Sequence, residues 1–140
     1  MPSIVSYRKH IAALITRELL LPEDPATRQR LGTELATIDG VTFVALPDGV
    51  ALPENQAGEI ASSIATVTLT DALRSAIKAA SPHVRLINDR VREAIADRYS
   101  MADEIKLLRT APSAECIAYN AYAEECRDWG RSEKAKLGLA

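Results

Sequence analysis

Thr33-Glu34-Leu35-Ala36-Thr37-Ile38-Asp39-Gly40-Val41-Thr42-Phe43-Val44-Ala45-Leu46 reads as two β-branched runs meeting at Asp39-Gly40. An Asp-Gly pair tolerates the positive φ angles of a type I′ turn, whose twist matches that of paired strands, so the stretch predicts a β-hairpin. Pro47-Asp48-Gly49 follows as a second turn and Val50-Ala51-Leu52 as a third short run. The expected unit is a small antiparallel three-stranded meander. Three short strands are not stable alone, so this sheet must pack on a helix or on another chain.

Upstream, Ile4, Tyr7, Ile11, Leu14, Ile15 and Leu19 recur at spacings of three and four. That period predicts an N-terminal helix over Ile4 to Leu21, stopped by Pro22. Asp24 and Pro25 would open a further turn or two, ended by Gly32. Downstream, the polar, turn-rich stretch Pro53 to Gly58 suggests a linker. It divides the chain into 1–58, an N-terminal helix plus β-meander, and 59–140, a helical region; one continuous domain is the alternative. Glu59 to Leu69 reads as a helical turn followed by an extended stretch.

The remainder carries helix punctuation. Thr70 caps Asp71 to Ala80, and Ser81-Pro82 opens a second helix, because the serine side chain accepts from first-turn amides and proline needs no donor there. Val84, Ile87, Val91, Ala94, Ile95 and Tyr99 form its apolar stripe. Ser100 with Asp103 resembles a capping box for a short helix to about Arg109, with Ile105 and Leu108 inward. Ala111-Pro112 breaks it and Ser113 starts the last helix, where Cys116, Tyr119, Ala123, Cys126 and Gly130 share a stripe, with Tyr122 and Trp129 beside it. Lys134 to Gly138 supplies a basic last turn and a glycine stop. The predicted fold class is α+β: an N-terminal helix, a three-stranded antiparallel meander, and three or four C-terminal helices forming an antiparallel helical hairpin.

Composition bounds what such a chain does. Its 140 residues suit one domain, and 47% hydrophobic with 26% charged residues excludes wholesale disorder. The formal net charge of −2 disfavours generic duplex DNA binding, which needs a basic face to displace counterions. No apolar run approaches the roughly 18 residues of a membrane-spanning helix, and the N-terminus lacks a secretory pattern, so no membrane partner and a cytoplasmic location are expected. Cys116 and Cys126 lie ten residues apart in one predicted helix, about 15 Å along its axis, too far for a bridge.

A search for chemistry yields little. His10 and His83 are the only histidines, and neither belongs to a nucleophilic or zinc-ligand spacing. Asp103-Glu104 and Glu124-Glu125 are adjacent, which on a helix points each pair about 100° apart. No phosphate-cradling glycine loop is present. No catalytic residue, metal site or cofactor is therefore expected. Arg74, Lys78, Arg85, Arg90, Arg92 and Arg98 make the stretch 74–98 basic, but Asp89, Glu93 and Asp97 interleave with them, as on a solvated helix face, with an acidic protein partner or nucleic acid as the alternatives. Tyr119, Tyr122 and Trp129 concentrate most of the ring area of an aromatic-poor chain in one helix, either as core or as an interface anchor.

Ile95-Ala96-Asp97-Arg98-Tyr99-Ser100-Met101-Ala102-Asp103-Glu104, then Arg109, Ala118-Tyr119-Asn120-Ala121-Tyr122 and Cys126-Arg127-Asp128-Trp129-Gly130 resemble the C-terminal segment of small tail-associated proteins of tailed bacteriophages and prophages, including tail fibre assembly proteins. The shared pattern is a Tyr-Ser-x-x-Asp-Glu element joined to a helix ending in Arg-x-Trp, over about a third of the chain. The resemblance implies non-enzymatic work in the host cytoplasm: binding a phage tail or tail fibre component and assisting its assembly, with no cofactor. On that reading Tyr119, Tyr122, Arg127 and Trp129 form the partner-binding surface, with a free sheet edge as a second contact. A permanent subunit of the tail or baseplate, retained in the virion, is the first alternative, with homo-oligomerisation allowed. A small regulator binding nucleic acid through the Arg85 to Arg98 helix is the second.

Overall fold

A computed structural model describes residues 2–140. In chain order its strands and helices are β1 (Ser3–Tyr7), β2 (His10–Ala12), β3 (Ile15–Thr16), β4 (Thr33–Ile38), β5 (Val41–Leu46), α1 (Gly58–Ala61), β6 (Ala65–Val67), α2 (Asp71–Ala80), α3 (Pro82–Arg98), α4 (Met101–Arg109) and α5 (Ala114–Lys136). The β4–β5 hairpin forms at Asp39-Gly40, both with positive φ (51° and 79°), and Ile38 pairs with Val41. A bulge between Glu34 and Ala36 lets both Leu35 and Ala36 be buried.

The chain is α+β, but the predicted N-terminal helix and three-stranded meander are overturned. The main sheet has four antiparallel strands in the order β4-β5-β1-β6, and β2 and β3 form a separate two-stranded ribbon. Ser3 to Tyr7 is thus an inner strand, paired with β5 through Ile4↔Ala45 and with β6 through Ile4↔Val67. The second edge of β5 is taken by β1, so Val50-Ala51-Leu52 cannot pair with it; after the Pro47 to Val50 turn Leu52 instead packs against the Val5, Val44 and Leu46 side of the sheet. The fourth strand is instead β6, from the extended part of the stretch 59–69.

Both faces of this sheet are covered, which explains why the first strand imitates a helix in sequence. Ile4, Phe43 and Ala45 point to one side, where Leu35, Ile77 of α2, Val84 of α3 and Leu139 complete a core. Val5, Tyr7, Val44 and Leu46 point to the other, against Leu19 and Ile60. An inner strand buried on both faces lacks the polar alternation that identifies a half-exposed one. Past Tyr7 the helical pattern is spurious: Ile11 and Ile15 are exposed on the ribbon and Leu14 at its tip is 97% exposed.

The predicted antiparallel hairpin of C-terminal helices does not fit either. α2 packs on β4, α3 packs on α5, and the end of the chain returns to the sheet. Four helix starts are fixed by side-chain caps: Thr70 accepts from Leu73 N–H, Ser81 from Val84, Ser100 from Asp103 and Ser113 from Cys116. The exit of α5 is a Schellman motif. Leu139 N–H donates to Lys134 C=O at 3.0 Å and Gly138 N–H to Ala135 C=O at 2.9 Å, with Gly138 at φ 75°. Ile105 and Leu108 are another correction: both are exposed with Met101, while Leu107, one step round α4, packs inward.

Candidate partner-binding surface

The distinctive surface lies along α3 and α5. Tyr99 ends α3 and Ser100 opens α4, so the Tyr-Ser-x-x-Asp-Glu element is a helix-to-helix corner. Its capping box is reciprocal: Asp103 N–H donates to Ser100 Oγ at 3.1 Å, and Ser100 N–H donates to Asp103 Oδ2 at 3.0 Å. The bond from the Ser100 amide holds the Asp103 carboxyl below its usual range. Tyr99 then turns its ring into α5, edge-on to Tyr119 at 4.9 Å and tilted to Tyr122 at 6.0 Å. Arg98 closes the group from outside, its guanidinium 4.5 Å from the Tyr122 ring centre and 5.7 Å from that of Tyr99.

The four aromatic and basic residues marked by the sequence occupy three environments. Tyr119 is 8% exposed and packs with Ile95 and Ala123 inside the helical layer, so it supports the surface from beneath. Desolvation, then the Glu104 carboxylate, pushes its hydroxyl above the ordinary tyrosine value. Tyr122 is half-buried and donates its hydroxyl to Ala94 C=O at 3.0 Å, tying α5 to α3. Its ionisation is also raised, by desolvation first and then by Cys126. Trp129 is 42% exposed. With Tyr122, Val91, Ala94 and Cys126 it borders a shallow, mainly apolar notch of about 210 Å³.

Arg127 does not belong to that notch. Two residues on a helix differ by about 200° in direction, so Arg127 faces away from Trp129. It pairs with Glu124 at 3.0 Å and lines a different groove. Arg127 and Arg131 together hold the Glu124 carboxyl below its usual value. The adjacent carboxylates thus have structural work: Asp103 in a cap, Glu124 in an ion-pair cluster.

The remaining chemically capable side chains do not converge. His10 and His83 are exposed, and Cys116 and Cys126 are free thiols, the first buried and the second half-buried. Among the described residues no group of three or more His, Cys, Asp or Glu is arranged to hold a metal ion. No helix among them is long and apolar enough to cross a membrane. The chain matches no known family model, no curated protein and no solved structure.

Proposed function

We propose that this chain is a non-enzymatic binding protein of a tailed phage or prophage, which holds a tail or tail fibre component during assembly by way of the Trp129 edge of α3 and α5. The observation that carries the reading is the notch itself. A half-exposed indole beside the half-buried Tyr122 ring, over a rigid aromatic base of Tyr99 and Tyr119, is the composition of an interface anchor. The partner class comes from the residue pattern of the Tyr99 to Glu104 corner and the Arg127-x-Trp129 ending. The support is thus a half-exposed ring beside a mainly apolar notch and a sequence resemblance of the elements that border it.

The test is affinity capture of the tagged chain from cells co-expressing its neighbouring genes, with Trp129→Ala alongside. Retention of a tail or fibre polypeptide by the parent and its loss from Trp129→Ala, at unchanged far-UV circular dichroism, is the expected result. Equal retention by both proteins would remove Trp129 from the contact. Recovery of the chain in stoichiometric amount from purified virions would instead make it a permanent subunit.

A further inference from the structure

The opposite side of the α3–α5 pair carries a groove of another character. Lys78 of α2, Arg85 and Arg92 of α3, and Arg127, Arg131 and Lys134 of α5 line an open cleft of about 580 Å³, with Gly130 and Val91 on its wall and no carboxylate among its lining residues. The whole chain has a net charge of −2, so six cations around one cleft are a local concentration that overall composition hides. Three of them are balanced by acids on their own helix: Arg92 by Asp89, Arg127 by Glu124, and Arg131 by Glu124 and Asp128. Lys78, Arg85 and Lys134 have no acidic partner among the described residues. Like charges facing each other across a cleft repel, and an anion placed between them relieves that repulsion.

We propose that this groove binds a short acidic peptide segment, a few adjacent Asp or Glu residues on a protein partner. Its length selects the occupant. Arg85 to Arg92 and Arg127 to Lys134 each span seven residues, about 10 Å along a helix, the length of about three residues of extended chain. Guanidinium forks donate to carboxylate oxygens in pairs, and four arginines line the groove together with two lysines that place charge at one end. A nucleic acid strand is the poorer fit. No aromatic ring lines the groove for bases to stack on. The site lies on a different face from the Trp129 notch, so it stands or falls without the reading given above.

The experiment measures fluorescence anisotropy of a short labelled peptide of alternating Asp and Glu, in about 50 mM salt, where screening is weak enough to reveal charge contacts. Parent protein should bind it saturably, and Arg85→Glu combined with Lys134→Glu should weaken binding by about tenfold or more, as reversal of charges facing a ligand does. Arg28→Glu, on the loop before β4, should leave it unchanged. Absence of saturable binding, equal binding of the Asn and Gln analogue, or an equal loss from Arg28→Glu would overturn the proposal. So would displacement of the peptide by a single-stranded oligonucleotide of equal charge, which would make the groove a polyphosphate site. Should the double reversal unfold the chain by circular dichroism, Arg85→Gln with Lys134→Gln gives the same reading without added acids.

Discussion

Gly130 of α5 lies so close to Val91 of α3 that a methyl group on its Cα would sit 2.9 Å from the valine Cγ2. A glycine inside a long helix ordinarily costs about 0.5–1 kcal/mol relative to alanine. Here that cost permits the helix approach that places the Trp129 notch on one side and the basic groove on the other.

Gly130→Ala should therefore destabilise the protein despite its gain in helix propensity. Overpacking costs about 1–3 kcal/mol, and a β-branched valine in a helix has little freedom to turn its methyl aside. Urea unfolding should show a lowered midpoint. Adding Val91→Ala to Gly130→Ala should recover part of that loss, so the double variant is more stable than the sum of the single changes implies. Additivity would mean the two residues do not meet.

The end of the chain is as important to the sheet as its centre. Leu139 has no exposed surface and shares a core with Ile4, Leu35 and Phe43. Gly138, in the left-handed conformation, makes the turn that delivers it. Leu139→Ala should cost about 2–4 kcal/mol, within the range for truncating a buried leucine. The check is a denaturant midpoint that falls with an unchanged slope.

What the sequence disclosed follows the range of each interaction. Thr70, Ser81, Ser100 and Ser113 each accept from an amide three residues on, and Asp39-Gly40 turns upon itself, so these features are written locally. The inner strand is different, because Ile4 needs Ala45 on one side and Val67 on the other, and neither is near it in sequence. Its spacing with Tyr7 and Ile11 matched a helix by accident. The Tyr122 and Trp129 face of α5 could be read from a helical wheel, whereas the basic groove draws on three helices and showed in sequence only as a diluted run from Arg74 to Arg98. The offset of Arg127 from Trp129 was available from helix geometry and marks where a sequence motif and a surface part company.

The Ser100–Asp103 box makes a prediction with a sign. Bonds from Ser100 hold the Asp103 carboxyl below the usual aspartate value of 3.8, so the ionised form is favoured by folding. A depressed carboxyl contributes stability that is present above its unfolded pKa and is lost as pH falls through the folded one. Asp103→Asn should be less stable than the parent at neutral pH, and the difference should shrink as both are acidified below about pH 4. Ser100→Ala removes the other half of the box and should cost about 1 kcal/mol at neutral pH. Thermal unfolding across pH separates the two, and a gap for Asp103→Asn that is constant with pH would contradict ionic capping.

Three tyrosines set the alkaline limit. Tyr7 is raised above the usual value of 10.0 mainly by burial, and Tyr119 and Tyr122 are raised with desolvation as the first cause. In each case folding favours the protonated phenol. A raised acid of this kind contributes stability fully present below the unfolded pKa and lost as pH rises through the folded one. The protein should hold its stability to about pH 10 and then lose it, with tyrosinate absorbance appearing in step with unfolding. Tyr7→Phe keeps the ring inside the sheet core and removes the ionisable group, so it should move the alkaline transition upward. If tyrosinate absorbance develops fully while far-UV circular dichroism is unchanged, the phenols are ionising within the folded protein and their burial is not what resists the proton's departure.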